Sequence, residues 1–86
     1  MTPSELTARR TFAVFELLRK AESFCQLALV TTDRALMHRC LVRARRSFDA
    51  ALVCSAEFTP DDCRKFDTQS VCIEELVQEI RMRLAA

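Results

Sequence analysis

The sequence predicts an all-α fold: a three-helix antiparallel bundle, made of a helical hairpin and a long C-terminal helix. Three observations predict it. The 86 residues contain no glycine and only two prolines, Pro3 and Pro60. Hairpin turns, bulges and phosphate-cradling loops commonly use glycine for positive φ or close backbone approach. Its absence therefore disfavours sheets and removes every Gly-rich nucleotide fingerprint. The apolar residues recur in steps of three and four, the helical period. Finally, "TPSE" (2–5) and "TPDD" (59–62) share the grammar of a helix start.

The first helix is predicted over residues 3–30. Thr2 is its N-cap, Pro3 its first residue and Glu5 the reciprocal partner of a capping box. Val14, Leu18, Ala21, Cys25 and Ala28 form its core stripe. Continued unbroken, that stripe would reach Thr32, Ala35, Arg39, Val42 and Arg46. The apolar residues instead run Met37, Cys40/Leu41, Ala44, Phe48, Ala51/Leu52, Ser55 and Phe58, so the phase jumps. "VTTD" (30–33) sits at the jump, and Asp33 is suited to cap a new helix. A second helix over 33–57 is therefore expected to fold back tightly, with Ala21 near Ala44 and Cys25 near Cys40. The third helix, 60–84, starts with Thr59 as cap and Asp61 and Asp62 facing the helix dipole. Cys63, Phe66, Ser70, Ile73, Val77, Ile80 and Leu84 make its stripe, which reads as a coiled-coil seam or as the face laid on the hairpin. "DTQS" (67–70) is polar enough to kink or restart it. A chain of this size forms one domain over 1–86. It buries only roughly 60–65 % of its unfolded surface, so oligomerisation would be a natural supplement.

"AESFCQLALVTTD" (21–33) resembles the turn region of small alphaproteobacterial helical-hairpin proteins of unknown function. Ala21, Glu22, Leu27, Ala28, Thr31, Asp33, Leu41, Ala44 and Ala51 hold the family's offsets; where the family often has proline after the aspartate, this chain has Arg34. The resemblance spans residues 21–51, about a third of the chain. It implies the hairpin and lends no activity.

The net charge of +1 hides an asymmetry. Residues 1–46 hold nine Arg/Lys and four acids, whereas residues 47–86 hold four and eight. Arginine outnumbers lysine eleven to two, which suits bidentate recognition of carboxylate or phosphate and also fits a GC-rich genome. Five cysteines, an odd number without C-x-x-C spacing, read as reduced thiols filling apolar positions. Cys54 and Cys63 flank the connection between the second and third helices, the one place where a bridge is worth testing. The N-terminus lacks the apolar core of a signal peptide, so a cytoplasmic location is expected. Apolar runs such as "LALV" (27–30) are too short to span a membrane.

Little points to catalysis. His38 and Cys40 lie two apart on a helix and face different ways, so they neither share a metal nor form a nucleophile–base pair. Glu74, Glu75 and Glu79 have no matching Glu-x-x-His motifs for a dinuclear centre. No catalytic residue, metal ligand or cofactor is expected, and the chain is read as non-enzymatic. The five arginines between Arg34 and Arg46 fall on two ridges. Arg39, Arg43 and Arg46 cluster away from the core face, while Arg34 and Arg45 lie at its edge. Val42 and Val53 also point away from the core, so the second helix is apolar on more than one side and needs another cover. The expected function is a small protein–protein interaction, adaptor or regulatory module that self-associates as a homodimer. Arg39, Val42, Arg43, Arg46 and Val53 would meet Glu74, Glu75 and Glu79 of a second copy, or an acidic protein partner. The alternative is a small nucleic-acid-binding regulator using the same ridge. It is weakened by the absence of Trp and Tyr, by phenylalanines that mostly read as core, and by near-neutral charge.

Overall fold

Thr2 and Thr59 start two helices by the same chemistry. A computed structural model describes residues 2–54 and 58–86, and its described residues form α1 (Pro3–Val30), α2 (Arg34–Val53) and α3 (Pro60–Ala85), with no strand. The Glu5 amide donates to Thr2 Oγ1 at 3.2 Å, and the Thr2 amide donates to Glu5 Oε2 at 3.3 Å. Thr59 and Asp62 repeat the exchange at 3.1 and 3.2 Å. Each box satisfies amide donors that a helix start leaves without partners.

The phase jump at 30–33 is a real turn. Thr31 leaves α1 in an extended conformation, and Asp33 Oδ1 accepts from the Ala35 and Leu36 amides at 2.9 and 3.3 Å. No described residue has positive φ. The chain reverses with extended residues and an aspartate cap, so glycine has no task here. α2 is shorter than the expected 33–57. It ends at Val53, where Cys54 adopts φ −69° and ψ 119° and donates its amide to the Ala50 carbonyl. The expectation for residues 55–57, including a core role for Ser55, lies outside the described residues. α3 is longer by a residue and runs unbroken through 67–70. Thr68 there returns its hydroxyl to the Arg64 carbonyl at 2.9 Å, which removes one competitor for the helical ladder.

Two clusters form the core. Cys25 and Ala28 of α1 pack with Met37, Cys40 and Ala44 of α2 and Ile80 of α3. Val14, Leu18 and Ala21 pack with Ala51 and Ile73. The end of α1 thus lies against the start of α2 and the end of α3. All five stripe residues expected on α1 are buried, and Cys25 and Cys40 meet as anticipated. Leu18, Ile73 and Ile80 are the largest enclosed side chains, each worth about 1.5–3 kcal/mol of burial. Phe58 extends the lower cluster, with ring centroids 5.7 Å from Phe15 and 5.5 Å from Phe66.

The other stripes hold with additions and exceptions. Phe48 packs against the second cluster, and Ser47 beside it is buried as well, donating its hydroxyl to the Leu17 carbonyl at 2.8 Å. That bond is what lets a hydroxyl sit between Ala44 and Ala51 on the inner face. Leu52 is exposed, one residue and so about 100° round from Ala51. All five cysteines are free thiols, but Cys54, Cys63 and Cys72 are exposed instead of filling the core. Cys54 lies beyond the end of α2, Cys63 in the first turn of α3, and Cys72 about 100° round from buried Ile73.

At the turn end, two arginines tie the helices together. Arg83 donates to the Leu29 carbonyl at 2.8 Å, supplying the cation that the last turn of α1 lacks. Arg34 in turn donates to the carbonyls of Arg83, Leu84 and Ala86 at the end of α3. Both guanidinium groups sit where unsatisfied carbonyls make a helix end negative.

Candidate functional site

The helical wheel divides α2 into three sides. Met37, Cys40, Ala44, Ser47 and Ala51 face inward. Phe48 and Arg45 lie on the flank toward α3, where they border a groove with Glu74 and Val77. Arg46, two residues from Phe48, lies about 160° away from it. Arg39, Arg43 and Arg46 are all exposed on this far side. No ion pair joins them to an acid among the described residues; the pairs found there are Arg19–Glu16, Arg64–Asp61 and Arg83–Glu79.

The ridge is not isolated. Arg43 and Arg46 form one wall of a groove whose other wall is Leu17, Lys20 and Phe24 of α1. The Arg43 guanidinium carbon lies 5.9 Å from the centre of the Phe24 ring, within cation–π range. This groove runs into an apolar strip along α1 that includes Phe12 and Leu27 and shares Leu17, Lys20 and Phe24. Phe12 is 67 % exposed, which corrects its reading as core. The cause is angular: Phe12 lies two residues from buried Val14, and so about 160° round the helix.

Val42 and Val53, expected to point away from the core, are 47 % and 80 % exposed. Val42 adjoins the ridge, whereas Val53 is the last residue of α2, eleven positions further on. The three glutamates stand elsewhere. Glu79 is held by Arg83 at 3.0 Å, Glu74 borders the groove with Arg45, and Glu75 is exposed about 160° round from buried Ile73. Within one chain, none of the three acids is ion-paired to the ridge among the described residues. The sequence reading missed Lys20, Phe12, Phe24 and Leu27. A residual signal existed for Phe12, Lys20 and Leu27, which share the outer half of α1, whereas Phe24 is partly buried against the core at its edge.

His38 is exposed on α2, and no cluster of metal-ligating side chains is formed among the described residues. Burial pushes the Cys25 thiol up to about 11, with Glu22 and the Cys72 and Cys40 thiols adding to the effect. A thiol so raised stays protonated at neutral pH and makes a poor nucleophile. No described helix is long and apolar enough to cross a membrane. The described residues thus define an all-helical chain with a basic and apolar groove between α1 and α2. Comparison with family models, with curated proteins and with solved structures gave no match for it.

Proposed function

We propose that the chain is a small non-enzymatic protein–protein interaction module, an antiparallel three-helix bundle whose α1–α2 side is the contact surface. The observation that carries this reading is the ridge. Arg39, Arg43 and Arg46 have no acid ion-paired to them among the described residues, and they stand beside uncovered apolar side chains. Arginine and aromatic side chains are enriched at protein interfaces.

The test is comparative capture from the native host with wild-type protein and an Arg39→Glu/Arg43→Glu variant. Acidic proteins held by the first and lost by the second support the reading. Identical captured sets reduce the ridge to a solvated face.

Self-association is the second reading, favoured by residues 66–80 of α3, which carry Asp67, Glu74, Glu75 and Glu79 and no lysine or arginine. In this reading the α3 acids of one copy meet the ridge of another. Light scattering should then show a mass above that of one chain; a strict monomer at high micromolar concentration removes this reading. Exposed Phe12 beside Arg19 and Lys20 supplies the aromatic that nucleic-acid binding needs. Titration with duplex and single-stranded DNA at two salt concentrations separates that alternative, because phosphate contacts weaken steeply with salt.

A further inference from the structure

We infer that the α1–α2 groove and the strip from Phe12 to Leu27 form one seat for an acidic amphipathic helix of another protein. The inference rests on the interaction reading above and names the occupant. Leu17 and Phe24 give the seat an apolar floor, and Phe12 and Leu27 extend it along α1. Lys20, Arg43 and Arg46 rim it, and the one acid in its lining, Glu16, is held by Arg19 at 3.4 Å. From Phe12 to Leu27 is fifteen residues, about 22 Å or four helical turns. A partner helix of that length, with apolar side chains at i, i+4 and i+7, matches the strip; its flanking carboxylates match the rim.

Three features favour this occupant over a second copy or a nucleic acid. In a copy, Glu79 is already held by its own Arg83 at 3.0 Å, which leaves fewer free carboxylates for the rim. Its outward α3 line reads Val71, Glu75, Gln78 and Met82, with only two apolar residues to cover the floor. A contact of seat with seat would set arginines against arginines, a like-charge juxtaposition that opposes binding. A nucleic acid would use the rim but leave Leu17 and Leu27 uncovered, and Arg19 is already paired with Glu16 at 3.4 Å.

The probe is a fluorescent peptide of about 18 residues, leucines at helical spacing and glutamates flanking them, beside a shuffled peptide of the same composition. The patterned peptide should bind at least about tenfold tighter than the shuffled one. Phe12→Ser, and Lys20→Glu with Arg46→Glu, should each weaken it by about tenfold or more, with helix content and melting unchanged, as expected for exposed positions. Met82→Ser, on the far side, should leave binding intact. Equal binding of the shuffled peptide, insensitivity to Phe12 and Lys20, or displacement of the peptide by single-stranded DNA overturns the inference. The capture comparison uses no peptide and different residues. Its failure sinks the interaction reading, whereas its success beside a failed peptide sinks only the helix as occupant.

Discussion

Cys25 shows how strongly one side chain depends on its surroundings. It is wholly enclosed, and its thiol is raised from the usual 9.0 to about 11. Below pH 9 both folded and unfolded chains keep the proton. Above it the unfolded thiol ionises while the folded one does not, so stability falls as pH rises from about 9 toward 11. The full loss is about 2–3 kcal/mol, readable by urea melts across that window. Alkylation under native conditions should label Cys54, Cys63 and Cys72 quickly, and Cys25 and Cys40 only on unfolding. Faster labelling of Cys40 than of Cys63 would contradict the packing described above. Ala44 is wholly buried among Cys25, Met37 and Cys40, so Ala44→Leu should overpack that cluster at a cost of about 1–3 kcal/mol. The α1 stripe was legible because five residues repeat one angle through four turns. Ser47 was not, because its burial depends on a carbonyl thirty positions away. Phe12 was misread for the opposite reason: hydrophobicity argues for burial, but only the angle decides it.

Helix starts were readable in the sequence, as was the end of α1 at Val30; the end of α2 was not. Caps are local, made by residues two or three positions apart, and Thr2, Asp33 and Thr59 all act as the sequence implied. Asp33→Ala should cost about 1 kcal/mol by orphaning the first amides of α2, checked by thermal melting against Asp33→Asn, which keeps most of it. The end of α2 moved from 57 to 53, and the continuity of α3 through 67–70 was equally hidden, because both are decided by what packs alongside. The two arginine clasps are likewise long-range, joining residues about fifty positions apart. Replacing Arg34 and Arg83 together with alanine should loosen the last turn of α3 and leave Ile73 in place. Amide exchange should then speed up near Leu84 and stay slow near Ile73. Uniform acceleration along α3 would mean that the clasps hold the whole helix.

At the scale of the whole molecule, the chain is drawn out. It extends 50 × 22 × 18 Å with a radius of gyration of 14.5 Å, against about 12 Å for a compact chain of this length. Long helices joined by short turns leave much of each helix facing outward, and this is why a chain that is half apolar still exposes Phe12, Val53 and Met82. The sequence displayed the basic and acidic halves, and the fold puts the arginine ridge on α2 and the acidic stretch 66–80 on the separate helix α3. That separation has a consequence for how the molecule meets any charged boundary. A chain with a net charge of only +1 would ordinarily pass weakly through either type of ion-exchange column. With the arginine ridge on α2 and an acidic stretch without lysine or arginine over 66–80 of α3, this one should be retained by both resins at neutral pH and low salt. On a negatively charged support it should settle with Glu75 outward, and on a positive one with Arg39 outward. Protection of Arg39 from a guanidinium-modifying reagent on the first support, and its reactivity on the second, would reveal the reversal.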